Sequence, residues 1–290
     1  MRLNTEPIRI PTKVKDSIFR VTDWIAKGKN GRRLITKVVE VGGTSLGMGN
    51  HDDNNDRSGE NRLLRALSVS IDDIVAMDIG ANVGVWSKEL LQTCPSAVSV
   101  AIEPGSQSFN ELEIFSKSLQ GIFPIRAAIA ATDGEAQLFG TDRDYQQASL
   151  HHDLLPRTTF DDPTREIKSE IVPTRSFESI GREIAELGIV GSGRKVNVLK
   201  VDTEGFEYEI LSQALNTHNL STHEFTDLLA VQFEFHMHAL AQGQTIDDFA
   251  ELFGPEYQLF RLAPRCLIPR EEFGADLANY FGFSNWVALH

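Results

Sequence analysis

The chain has 290 residues and 32.2 kDa, one large domain or two small ones, and its 41% hydrophobic and 24% charged residues suit a packed core rather than a disordered chain. With 28 Lys and Arg against 41 Asp and Glu, the net charge of −13 repels phosphate backbones and argues against nucleic acid as a partner. There is no apolar run of ~20 residues and no signal-like start, and Cys94 and Cys266 alone make neither a disulfide framework nor a cysteine-rich zinc site, so a cytoplasmic enzyme without stable membrane insertion is expected.

Val14, Ile18, Val21 and Ile25 recur at helical spacing and predict a short amphipathic helix packed on the main body. The stretch 42–60 is Gly-rich and polar, so residues 1–60 read as an N-terminal extension and 61–290 as the domain that carries the chemistry. Asp52, Asn54 and Asp56 alternate as in a calcium loop, but that pattern wants glycine at 57 and glutamate at 63, where Arg57 and Leu63 stand. This polar segment, ending at Glu60, fits recognition of a hydroxyl-rich acceptor or plain solvation instead.

From residue 61 the pattern becomes regular. IVAMDIG (74–80) reads as a buried strand, followed by a helix after Gly84; VSVAIEP (98–104) is a second strand and 106–119 a second helix. IFPIRAAIA (122–130) predicts a third strand, and GEAQLFG after it alternates like another. Residues 140–170 are polar, with His151 and His152 among them, and read as a binding loop, a lid or a disordered segment. VNVLKVD (196–202), EGFEYEILSQAL (204–215) and LLAVQFEF (228–235) resume the alternation. That order argues an α/β, Rossmann-like fold, a mostly parallel sheet with helices on both faces. YQLFRLA (257–263) and NWVALH (285–290) are strands joined by a short connection, which fits an antiparallel edge.

DIGANVG (78–84) closes the first strand and opens a helix, where Gly80 and Gly84 let the backbone approach a ligand. Glu103 ends the second strand, where a carboxylate can accept both hydroxyls of a ribose. Dinucleotide sites begin this turn with glycine; here Asp78 stands in that place and would repel a pyrophosphate but not a zwitterion. S-Adenosylmethionine, with ribose, ammonium and sulfonium but no phosphate, is the cofactor that suits it. LKVDTEGFEYEIL (199–211) puts Lys200, Asp202 and Glu204 at the end of a central strand, where ligands bind in open α/β sheets. Glu207 and Glu209 are better read as acids complementing a helix N-terminus.

Together, DIGANVG (78–84), IEP (102–104), LKVDTEGFEYEIL (199–211) and QFEFH (232–236) resemble the FkbM-type class I S-adenosylmethionine-dependent methyltransferases, over about residues 60–290 with the segment around Ser149 and the closing NWVA. The resemblance implies a seven-stranded sheet with an antiparallel last strand, and methyl transfer to a hydroxyl of a saccharide or secondary metabolite. It implies a cofactor cradle of Asp78, Gly80, Ala81, Asn82, Gly84, Glu103, Pro104, Ala128 and Asp202, and acceptor contacts from Glu60, Ser149 and Glu204. One departure is VPTRSFESI (172–180), where the family commonly has T-L-D and this chain has Ser176, Phe177 and Glu178, so Glu178 would have to reach differently.

An alcohol needs a general base or a metal to act as nucleophile near neutral pH. The candidate catalytic residues are Lys200, Asp202, Glu234 and His236, with His236 or Asp202 as base and Glu234 orienting a partner. A divalent metal on Asp202, Glu204, Glu234 and His236 is the competing mechanism, though no spacing demands it, and His238 reads as the start of the next loop. An NAD-dependent sugar oxidoreductase and a non-catalytic adenosyl- or glycan-binding module are the alternative functions.

Overall fold

The computed structural model describes residues 12–49, 58–141, 149–150, 167–215, 224–280 and 282–290. Helices α1 (Thr12–Ala26) and α2 (Lys29–Ser45) form a hairpin. The expected helix is present, but its packing on the body is corrected: Val14, Ile18 and Val21 are exposed, and α2 buries no residue. The hairpin meets the body just beyond α2. There Gly47, at φ 75°, passes so close to the Leu262 carbonyl that any Cβ would clash, and the Gly49 N–H donates to the Phe283 carbonyl at 2.7 Å.

Helix α3 (Glu60–Ser70) turns Leu63, Leu64 and Leu67 inward. Then β1 (Val75–Ile79), buried at every position, leads through a tight turn to α4 (Val85–Thr93); β2 (Val98–Ile102) and α5 (Ser106–Ser116) follow. The strand expected over 122–130 is two strands. β3 (Ile122–Ile125) stays in the main sheet, and β4 (Ala128–Ile129) leaves it to join β5 (Gly134–Thr141) and β6 (Ile167–Arg175) in a separate sheet of order β4-β6-β5. The start of β6 falls inside the 140–170 stretch read as a loop; of that stretch, residues 142–148 and 151–166, with His151 and His152, lie outside the described residues. Helix α6 (Phe177–Glu186), β7 (Val196–Val201), α7 (Glu207–Ala214) and β8 (Thr226–Phe235) continue the alternation. After α8 (Met237–Ala241) and α9 (Ile246–Phe253) come β9 (Gln258–Leu262), β10 (Leu267–Pro269), α10 (Ala275–Ala278) and β11 (Ser284–Leu289).

The main sheet has the order β10-β9-β11-β8-β7-β1-β2-β3. β1, β2, β3, β7 and β8 run parallel, and β11 lies antiparallel between β8 and β9. Seven strands match the expectation; the eighth, β10, is a three-residue edge strand built from the connection between the last two expected strands. Alternation along the strands feeds two cores. Met77, Ile79 and Leu199 pack with α6, α7 and α9 on one face, while Ala76, Val198 and Val287 pack with α3, α4 and α5 on the other. Among the described residues no helix is long and apolar enough to cross a membrane. The strand order reverses at β1, so the crevice beyond the C-terminal ends of β1, β2 and β7 is where this architecture places a ligand.

Candidate active site

Three turns build the site. After β1 the chain bends through Gly80 at φ 80°, where a Cβ would lie 1.7 Å from the Asp202 carbonyl oxygen. Only glycine lets the turns after β1 and β7 lie in contact. The next bend, Asn82 at φ 51°, donates its N–H to Glu103 Oε2 at 2.9 Å, and the Gly105 N–H donates to Oε1 at 2.8 Å. Burial lifts the Glu103 carboxyl to about 7, against the pull of those two N–H groups. Asn82 Oδ1 is buried and has no hydrogen-bond partner among the described residues.

The turn after β7 carries Asp202, Thr203, Glu204 and Gly205. Glu207 fastens it, accepting from the Thr203 N–H at 2.8 Å, the Thr203 hydroxyl at 3.1 Å and the Gly205 N–H at 3.1 Å; burial raises this carboxyl to about 7. Glu204 adopts φ 54°, a left-handed conformation costly for any residue with a Cβ, and Ser149 Oγ donates to its carbonyl at 2.8 Å. Together the turns enclose a crevice of about 590 Å³, open solvent at its mouth included. Its polar wall is Asn82, Glu103, Asp202, Thr203 and Glu204; its apolar wall draws on Ala128, Leu138 and Phe206.

The third turn follows β8. His236 follows the last residue of β8 as the N-cap of α8 and His238 lies in the first turn of that helix, both buried, with their rings 4.2 Å apart. His236 Nε2 lies 3.9 Å from Glu204 Oε2 and 3.7 Å from Glu234 Oε2, and His238 Nδ1 lies 3.7 Å from Glu204 Oε2. Glu234 is held well above the usual carboxylate range by burial and by the neighbouring charges of Asp202 and Glu204.

The structure brings Gly80, Asn82, Glu103, Pro104, Ala128, Asp202 and Glu204 to the crevice as the sequence suggested. Three of the cradle residues are corrected. Asp78 is fully buried on the opposite face of β1, where its carboxylate accepts from Ser87 Oγ at 2.7 Å and faces Lys200 Nζ at 3.6 Å. The period of two along β1 forces this, because it aims Ile79 at the crevice, and the neutralising lysine removes the repulsion of a pyrophosphate argued from Asp78. Ala81 packs in the core beneath α4. Gly84 serves helix packing: a Cβ there would meet Leu112 at 2.6 Å.

Lys200 is buried between Asp202, at 3.0 Å, and Asp78. Burial alone would lower its ammonium, but Asp202, Asp78 and Glu60 outweigh that and hold it above the ordinary value. It organises carboxylates without lining the crevice. Glu60 and Ser149 are occupied inside the protein: Glu60 accepts from Gln232 Nε2 at 2.6 Å and from Ser58 Oγ at 2.9 Å, and the Ser149 hydroxyl is given to Glu204. At the family departure, Ser176 caps α6 by accepting from the Ser179 N–H, and Glu178 pairs with Arg182 on the surface, away from the crevice. His238, read as loop, joins the site because the strand runs directly into α8.

A sheet that reverses order above such a crevice defines a nucleotide-binding, Rossmann-like enzyme architecture. The chain belongs to the FkbM methyltransferase family: the profile of the methyltransferase FkbM domain matches residues 78–262. The enzyme is therefore a methyltransferase, which sets aside the oxidoreductase and non-catalytic readings. Hexuronic acid methyltransferase AglP of Haloferax volcanii is 27% identical over 207 residues, covering 69% of this chain and 76% of that protein. Among solved structures, the N-methyltransferase NodS of Bradyrhizobium japonicum aligns with 9% identity and a TM-score of 0.40 over 82% of this chain and 96% of that one. Aeropyrum pernix fibrillarin with natively bound S-adenosyl-L-methionine aligns with 9% identity and a TM-score of 0.39 over 80% and 76%. Likenesses at that level carry no weight beside the family match.

Proposed function

We propose that the protein is an S-adenosylmethionine-dependent O-methyltransferase acting on a hydroxyl of a saccharide, in the cytoplasm. The observation that carries the cofactor is the polar wall of the crevice, where the buried Glu103 carboxylate and Asn82, whose Oδ1 has no partner among the described residues, share the lining with apolar side chains. Glu103 accepts the ribose hydroxyls, Asn82 Oδ1 takes a donor from the amino-acid end, and Ala128, Leu138 and Phe206 shelter the adenine. When bound, S-adenosylmethionine supplies an electrophilic methyl, which passes to the acceptor oxygen while sulfur keeps the electron pair and the hydroxyl gives up its proton.

The residues of the chain hold that hydroxyl in line and take its proton. Of the two bases suggested by sequence, Asp202 is favoured. Its side chain is 39% exposed beside the crevice and pairs with Lys200 at 3.0 Å, whereas the His236 side chain is 1% exposed. The saccharide acceptor draws support from the hexuronic acid methyltransferase relative. Calorimetric titration should show S-adenosylhomocysteine binding and no binding of NAD. Incubation with S-adenosylmethionine carrying a labelled methyl should add that label to a glycan or sugar nucleotide, read by mass spectrometry; label found only on nitrogen or on nucleic acid would overturn the acceptor.

A further inference from the structure

We infer that Glu204, His236 and His238 form a binding site for one divalent transition-metal cation of the zinc class, set against the cofactor crevice. Each residue offers one donor atom, and the three atoms lie within 4.8 Å of one another. Glu204 Oε2 is 3.9 Å from His236 Nε2 and 3.7 Å from His238 Nδ1. Neither separation is a hydrogen bond between ring and carboxylate. Donors arranged around a common ion, each bonded at about 2.0–2.2 Å, stand about 3.3–3.6 Å apart at tetrahedral angles. A small inward movement of the three side chains reaches that arrangement.

The donor set selects the ion. Two imidazoles and a carboxylate suit zinc, cobalt or iron, while magnesium prefers oxygen and retains its waters. Carboxylates also gather here, since Asp202, Glu204 and Glu207 all act on Glu234, with Lys200 acting in the opposite sense. Glu234 Oε2, 3.7 Å from His236 Nε2, is placed as a fourth ligand or as the carboxylate that orients the ring. Two segments set the donors: the left-handed turn after β7, and the N-cap and first turn of α8. The two histidines are buried, with His236 stacked on Phe283 at 5.0 Å, so their rings are held in place. Glu204 also lines the crevice. An ion at this point would bind and acidify the acceptor hydroxyl beside the methyl donor, its proton leaving to Asp202; that role rests on the proposed function, whereas the ion site itself does not.

The test uses the full chain, stripped with a chelator and dialysed. Co²⁺ is titrated in and followed by its visible absorption, with Zn²⁺ as competitor. One ion per chain is expected, and His236→Gln and His238→Gln should each weaken Co²⁺ binding at least about a hundredfold, since losing even a residue that only orients a ligand costs about 10–100-fold. The affinity of both variants for S-adenosylhomocysteine should stay within about twofold of the parent, which also shows that they are folded. Absence of saturable one-to-one binding in the parent chain overturns the site whatever the variants do, as does Co²⁺ binding unchanged in both variants. Failure of the parent to bind S-adenosylhomocysteine overturns the proposed cofactor instead, and leaves the metal titration to stand or fall alone.

Discussion

Glu103 holds two backbone N–H groups, one with each carboxylate oxygen, keeps acceptor capacity beyond those bonds and lines the crevice. Glu103→Ala should weaken S-adenosylhomocysteine by about 1.5–3 kcal/mol, or about tenfold to a hundredfold, by removing charge-assisted acceptors for two hydroxyls. Only the ionised carboxylate accepts both, and the free protein ionises it at about 7. Affinity should therefore rise about tenfold between pH 6 and pH 8 and level off above, with Glu103→Gln flattening the profile in calorimetric titrations at each pH. Glu204 illustrates the opposite economy. Its left-handed backbone costs about 1–2 kcal/mol, so Glu204→Gly should raise the midpoint of thermal unfolding while abolishing Co²⁺ binding and depressing turnover. A lowered midpoint would show that the carboxylate stabilises the fold. Glu103, Asn82 and Asp202 were legible in the sequence because a strand end fixes the placement of the first few residues beyond it. Asp78 was not, since its partner Lys200 comes from a strand far along the chain and only the register of β1 on β7 pairs them.

At the scale of elements, the C-terminal third is tied together by Arg261. It is fully buried in β9, donates to the Leu277 and Ala278 carbonyls at the end of α10, and lies 4.1 Å from the Phe273 ring and 4.7 Å from the Trp286 ring. Burial and Arg270 lower its guanidinium to about 10, so it stays charged at neutral pH. Lysine cannot reproduce a planar fork between two rings, and Arg261→Lys should cost about 2 kcal/mol or more in chemical denaturation. An unchanged midpoint would mean that the carbonyls and rings are equally content without it. Strands buried on both faces, β1, β2, β7 and β8, stood out as apolar runs. β6 did not, because Lys168, Ser169 and Ile171 face solvent and, of residues 168–175, only Val172 and Thr174 are buried. The break after β3 was hidden because IFPIRAAIA is apolar on both sides of Arg126, and a single arginine does not mark a strand changing sheets.

For the molecule as a whole, the buried acids set the response to pH. Glu103 and Glu207 ionise at about 7 in the folded chain, above their ordinary value of 4.5, because both are buried. The native state therefore binds more protons than the unfolded one between these values. Stability contributed by the two groups is fully present below pH 4.5, falls as pH rises through 7 and is level beyond. In the absence of ligand, calorimetry should give a higher unfolding temperature at pH 5.5 than at pH 8, and the double replacement of Glu103 and Glu207 by glutamine should reduce the difference. The seven-stranded topology was legible in its order but not in its eighth edge strand, whose three residues are too short to carry a period. The position of β11 has a consequence for how the chain is made. β11 follows both of its neighbours in the chain yet lies between them, so while the ribosome is still delivering it β8 and β9 present unpaired facing edges. The nascent chain then carries an open slot shaped for a strand, which another polypeptide could fill before Ser284–Leu289 emerges. Synthesis speed and chaperone capture between β9 and β11, rather than the stability of the finished fold, would then govern the yield of active protein.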